Sequence, residues 1–131
     1  MLSDSPAFAG FSVDDIDAAA HFYGDVLGLG VGREMDGTIL SIALGGGGRA
    51  IAYPKDDHSP ATFTVLNFLV DDIDATVDTL AAAGVAMIEY PELGDFDAKV
   101  VHRGAGGYPD IAWFADPAGN ILSVLSTPGD R

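Results

Sequence analysis

The hexapeptide Val-Asp-Asp-Ile-Asp-Ala occurs twice, at Val13–Ala18 and again at Val70–Ala75, in a chain of 131 residues. A phrase repeated at that interval divides the chain into halves that must be read together, because an internal repeat decides the architecture. In the first half Ala7–Val13 reads as a strand, with Phe11 and Val13 on one face and Gly10 and Ser12 on the other. Asp14 or Asp15 offers an N-cap, and Ile16, Ala19, Ala20, Tyr23 and Leu27 form a helical apolar stripe that Gly28 closes. Strands are then expected at Val31–Met35, at Thr38–Leu44 after the Asp36-Gly37 turn, and at Arg49–Tyr53 before Pro54.

The second half repeats this βαβββ order. Thr62–Val70 reads as a strand, Asp72 as a cap, and Ile73, Val77, Leu80 and Ala81 as a helical stripe ended by Gly84. Ala86–Tyr90, Ile111–Phe114 and Ile121–Ser126 follow as strands, the last two joined by the turn sequence Asp116-Pro117-Ala118-Gly119-Asn120. The expected fold is therefore α+β. Module one spans about residues 7–54, a linker 55–61, and module two about 62–126, within a single domain of residues 1–131. One helix cannot cover both faces of four strands. Two modules side by side predict an eight-stranded curved mixed sheet with helices on its convex face and a hollow on the other, and such concave surfaces suit small molecules.

Charge narrows the partners. Six Lys and Arg stand against 20 Asp and Glu, a formal net charge of −14. That field repels nucleic acid and anionic membranes and is compatible with a cationic guest. The chain has no cysteine, which excludes disulfides and thiolate metal sites and fits a cytoplasmic location. The opening MLSDSPAF lacks the pattern of a signal peptide, and the apolar runs are too short to span a bilayer.

Several motifs together carry a resemblance. Val13-Asp14-Asp15-Ile16-Asp17, Phe22-Tyr23, Leu27-Gly28-Leu29, Val70–Asp74 and Trp113–Asn120 resemble, in order and spacing, the vicinal oxygen chelate superfamily. That superfamily includes glyoxalase I, extradiol dioxygenases, fosfomycin-resistance enzymes and bleomycin-resistance proteins. In its enzymes, the resemblance implies, a divalent metal is held by His, Gln or Glu from the first and last strand of each module. The first-strand ligand would lie five residues before the terminal Val, at Phe8 and Val65. The last-strand Glu would lie four residues after the Gly of the turn, at Ser123, and its module-one counterpart within Arg49–Ala52. None of these residues is a metal ligand of the expected kind, so neither metal nor other cofactor is expected.

Strand alternation would instead turn Phe8, Gly10, Ser12, Val65, Asn67, Leu69, Ile121, Ser123 and Leu125 toward the hollow. Their composition fits a pocket for an aromatic or amphipathic molecule, or else a filled core in which Phe8 occupies the place of a metal. The long segment Pro91–Pro109 is expected to close over the hollow, with Tyr90, His102 or Tyr108 touching a ligand, or to make a dimer contact. Lys99–His102 would be an extra edge strand, and Trp113 core. His21 is expected at the surface or an interface and His58 in a solvated linker. The candidate ligand-binding residues are thus Phe8, Ser12, Asn67, Tyr90, His102, Tyr108 and Ser123. The expected function is metal-free binding of a small aromatic or cationic molecule. The alternatives are a metal-dependent lyase, isomerase or dioxygenase with relocated ligands, and an interaction subunit with a vestigial hollow. By resemblance the protein is expected to be a homodimer.

Overall fold

Each copy of the repeated hexapeptide is the joint between a strand and a helix. In the computed structural model, which describes residues 1–126, β1 (Ala9–Val13) leads into α1 (Ile16–Ala20), and β5 (Thr64–Leu69) leads into α2 (Ile73–Ala82). The aspartates of the repeat do the capping. Asp15 holds extended backbone while its carboxylate accepts the N–H groups of Asp17 and Ala18 at 3.0 and 3.1 Å. Asp72 accepts that of Ala75 at 3.0 Å. Each cap satisfies helix donors that have no partner within the helix. Contacts divide the chain into two compact units between Pro60 and Ala61, at the end of the expected linker.

In module one, β2 (Val31–Glu34), β3 (Ile39–Ala43) and β4 (Arg49–Pro54) complete a sheet of order β1-β4-β3-β2, with β1 parallel to β4 and the other pairs antiparallel. One face buries Phe11, Val13, Leu40, Ile42, Ala50 and Ala52, and α1 packs on β3 and β4. The helix departs from the uninterrupted stripe that periodicity suggests. Beyond Ala20 it widens into a π-turn at His21–Val26, where the Leu27 N–H donates to the Phe22 carbonyl at 2.9 Å. Phe22 and Tyr23 are both buried, their rings 5.2 Å apart and nearly perpendicular. Gly24 is required next to them, since a Cβ there would lie 2.9 Å from a Val31 methyl.

In module two, β6 (Met87–Ile88), β7 (Asp110–Ala115) and β8 (Ile121–Ser126) give the order β5-β8-β7-β6, with β5 parallel to β8. A short helical turn at Pro91–Leu93 follows β6. The helix α2 packs on β7 and β8, burying Ile73, Val77 and Leu80 on the side where Ala112, Phe114, Leu122 and Val124 are buried. The eight strands thus hydrogen-bond as two four-stranded mixed sheets, one in each module, in an α+β fold.

The β7–β8 turn shows why its sequence reads so clearly. Asp116 accepts the N–H groups of Ala118 and Asn120 at 3.0 and 2.8 Å, and Asn120 donates its side-chain amide to Asp116 at 3.2 Å. The Asn120 carbonyl oxygen in turn accepts the N–H of Ala61, so this turn also anchors the approach to β5. Both side chains are buried, and Gly119 supplies the left-handed φ of 85° that the turn needs. Asp116→Ala strands these donors out of water, and chemical denaturation is expected to show a loss of about 2–3 kcal/mol.

Candidate functional site

Module two turns one face of its sheet away from α2, and the register assembles that face. Asn67 lies opposite Ser123, Ser123 opposite Trp113, and Trp113 opposite Ile88, so one row crosses all four strands. The Ser123 hydroxyl, fully buried, donates to the Asn67 carbonyl oxygen at 2.6 Å. The indole N–H of Trp113 reaches across β8 to Thr64 Oγ1 at 3.2 Å. Thr64 holds that position because β5 carries a bulge: Thr64 pairs with Ile121, yet Leu66 already pairs with Leu122, leaving Val65 as the extra residue. Simple alternation assigned this place to Val65, and the bulge gives it to Thr64.

Trp113 is the hub of an aromatic cluster. Ring centroids of Tyr90, Phe96 and His102 lie 5.3, 6.2 and 6.4 Å from the indole, the Tyr90 ring edge-on. The indole is half-buried on the face away from the helix, where the sequence had suggested core. Burial, with Glu92 nearby, pushes the Tyr90 phenol up, so it stays protonated at neutral pH. Phe96 was missing from the sequence reading, since nothing in its local pattern ties it to β7. Tyr108 is 72% exposed and has no ring contact with this cluster among the described residues.

The segment after β6 is folded back by charge. His102 makes single bridges to Phe96 and Ile111 in place of the extra strand expected at Lys99–His102. Alternation then puts His102 on the aromatic face and Val101 and Arg103 on the helix face, where Val101 is fully buried. Arg103 contacts Asp74 of α2 and Asp97, both at 2.7 Å, and the fully buried Asp110 at 3.3 Å. Asp110 also accepts the Gly104 N–H at 2.8 Å. A hydrogen bond from Arg103 holds the Asp74 carboxyl below its usual range. Burial pushes Asp97 upward, but hydrogen bonds from the Val101 N–H, Arg103 and the Lys99 N–H outweigh it and leave this carboxyl lowered as well. These carboxylates bind protons more weakly folded than unfolded. The stability they contribute is present above the unfolded carboxylate pKa and is lost as pH falls through the folded values. Stability of the native protein is therefore expected to hold from neutrality to about pH 4 and to drop below it. Arg103→Gln removes a charged partner of the buried Asp110, along with those of Asp74 and Asp97, so urea titration should show a loss of about 1–3 kcal/mol at neutral pH, with a shallower fall in acid.

Module one presents a more polar face. Ser12 Oγ lies 2.7 Å from Nδ1 of His58, which draws that half-buried histidine from the linker onto the sheet. The sequence suggested a solvated loop there. Phe8 does not fill a core: it is 55% exposed, with the Arg49 guanidinium 4.4 Å from its ring centre and Glu34 3.2 Å from Arg49. His21 is exposed and pairs with Asp25 one helical turn on, at 3.0 Å. Of the seven candidates, module two gathers Asn67 with Ser123, and Tyr90 with His102, on one face. Ser12 and Phe8 belong to module one.

A family model described as the Glyoxalase/Bleomycin resistance protein/Dioxygenase superfamily matches residues 6–124. The chain belongs to that superfamily. Similar solved structures include TnmS3, an antibiotic binding protein from a Streptomyces species, with 21% identity, a TM-score of 0.71, and 97% of this chain and 98% of that one covered. A lactoylglutathione lyase from Agrobacterium tumefaciens has 20% identity and a TM-score of 0.68, with 96% of each chain covered. A glyoxalase/dioxygenase from Nostoc punctiforme has 17% identity and a TM-score of 0.67, covering 95% of this chain and 92% of that one. At these identities the likeness is one of fold. No curated protein matches the chain.

Strand register can be set beside the metal-holding positions that the resemblance implies. Ser123 lies opposite Asn67, three residues before Val70; the residue opposite Gly10, three before Val13, is Ile51. With Thr64 taking the place assigned to Val65, and Ile51 standing for the site expected within Arg49–Ala52, the four implied positions would hold Phe8, Ile51, Thr64 and Ser123. Two are hydrocarbon. The other two are neutral hydroxyls already engaged with Trp113 and Asn67. This donor set does not fit a divalent cation, which takes imidazole or carboxylate here. Among the described residues no group of three or more His, Asp or Glu is placed to hold a metal ion.

Proposed function

We propose that this member of the glyoxalase and bleomycin-resistance superfamily binds a small aromatic molecule, without metal, on the face of module two centred on Trp113. The observation that carries the reading is the aromatic hub itself: an indole with its N–H tied to Thr64, flanked by Tyr90, Phe96 and His102, beside the polar pair Asn67–Ser123. Large rigid rings with a few fixed polar groups are the usual lining of small-molecule sites. The neutral chemistry of the four metal-holding positions supports binding over metal-assisted catalysis. The antibiotic-binding Streptomyces protein of the same fold is consistent with it.

Charge selects against anionic ligands. Lys99 and Arg103, the cations of residues 61–126, are both committed to carboxylates, Lys99 to Asp78 at 3.0 Å and Arg103 to its three aspartates. A neutral or cationic aromatic guest meets no fixed positive charge from this module, within a chain of net charge −14. Calorimetric titration with aromatic, peptide-like antibiotics in the presence of a chelator is expected to give micromolar binding, weakened roughly tenfold by Trp113→Leu. Failure of every compound to bind more tightly than millimolar, or binding that returns only with added metal, contradicts the proposal.

A cytoplasmic homodimer completes the proposal. The cysteine-free sequence supports the location; among the described residues no helix is long and apolar enough to cross a membrane. Phe63, just before the edge strand β5, and Leu69, at its end, are 68% and 75% exposed, large apolar side chains that a symmetric pair would cover. Light scattering is expected to report twice the chain mass, and the double substitution Phe63→Asp with Leu69→Asp to report the single chain.

A further inference from the structure

On the aromatic face of module two, two side-chain atoms have no hydrogen-bond partner among the described residues, the buried Nδ1 of His102 and the amide nitrogen of Asn67, and only the second belongs to an exposed residue held in place by a neighbour. The indole N–H of Trp113 is taken by Thr64, and the Ser123 hydroxyl is buried and taken by Asn67. The contact between Ser123 Oγ and Asn67 Oδ1 is 2.6 Å, within the range of O–H···O hydrogen bonds and shorter than N–H···O bonds ordinarily are. With the amide oxygen turned inward to accept from the serine, the NH2 group turns outward. Asn67 is exposed, and its amide nitrogen has no partner among the described residues. Ser123 thus acts as a buried lock that presents two N–H donors beside the indole, at a place where the strand register puts Asn67 only two strands from Trp113.

We propose that the ligand of this face is an aromatic molecule bearing a carbonyl oxygen on or next to its ring, with Asn67 as the specificity-determining donor and Ser123 as its positioning residue. The proposal rests on the binding reading above and names the ligand class that the same site takes. A carboxylate would also accept from Asn67, but it would bring a negative charge to a face with no free cation in its module. The group required is a neutral acceptor, as in an aryl ketone or aryl amide. Tyr90, whose hydroxyl can donate or accept, does not discriminate in this way.

Three bicyclic probes of nearly equal shape separate the possibilities: α-tetralone, which carries the ring carbonyl; tetralin, which lacks it; and tetralin carboxylate. Calorimetry on the full chain is expected to show α-tetralone binding about 3–10-fold more tightly than tetralin, the difference one hydrogen bond makes, with the carboxylate weakest. Asn67→Leu should abolish the preference for the ketone, read as the ratio of α-tetralone to tetralin affinity within that variant, with its fold checked by circular dichroism because the buried Ser123 hydroxyl loses its acceptor. Ser123→Ala keeps the amide but frees it to rotate, and should reduce the preference in part. In the native protein the Asn67 side-chain amide protons should shift downfield in the NMR spectrum on adding α-tetralone and stay put with tetralin. Equal affinity for ketone and hydrocarbon, or a preference for the carboxylate, overturns this inference and leaves aromatic binding standing. If none of the three probes binds, the aromatic-binding reading fails and takes this inference with it.

Discussion

A parallel ladder between the first and last strand sets the geometry of each module. Pairing β1 with β4 and β5 with β8 requires the chain to leave through a helix and return through two further strands, which is the βαβββ order itself. The same ladder decides which side chains stand together on the face away from the helix. In module two it aligns Asn67, Ser123 and Trp113, and a single extra residue at Val65 moves Thr64 into reach of the indole. Without that bulge the Trp113 N–H would meet a valine, and a half-buried donor would lose its acceptor.

The two modules share a plan and have diverged in chemistry. Module one carries hydroxyl, imidazole and guanidinium groups in local pairs, Ser12 with His58 and Arg49 between Phe8 and Glu34. Module two carries a cluster of rings held from behind by charge. His102 faces the rings while its neighbour Arg103 binds three aspartates on the opposite side, so aromatic surface and fastening are consecutive residues of one extended segment. This arrangement explains how a segment with little regular structure can hold its aromatic side chains in place. It also explains why two of the chain's few cations lie on the helix side, away from the aromatic face.

Much of the scaffold was legible in the sequence because it depends on local signals. The repeated Val-Asp-Asp-Ile-Asp-Ala carries its own caps, and Asp116 through Asn120 closes a turn by its own side chains. What escaped depends on partners distant in sequence. No periodicity reveals the widened turn after Ala20, which follows from packing both Phe22 and Tyr23 inward. Nor does alternation reveal the Val65 bulge, since it is defined only against β8. His58 reads as a linker residue until Ser12, far away in sequence, is placed beside it. The pair Asn67 and Ser123 was found because both are small polar residues among apolar neighbours on strands. Phe96 and the clasp made by Arg103 left no such mark.

The central claim is that the aromatic face of module two, with Trp113 at its middle, is the binding surface. Mapping backbone amide shifts while α-tetralone is titrated into the labelled protein tests it most directly. The account predicts that the shifts concentrate at Thr64–Leu69, Ile88–Tyr90, Phe96, His102, Ile111–Ala115 and Ile121–Leu125, with the Trp113 indole signal among the largest. Shifts centred instead on β1–β4 or on α2, with the Trp113 signal unmoved, would contradict it.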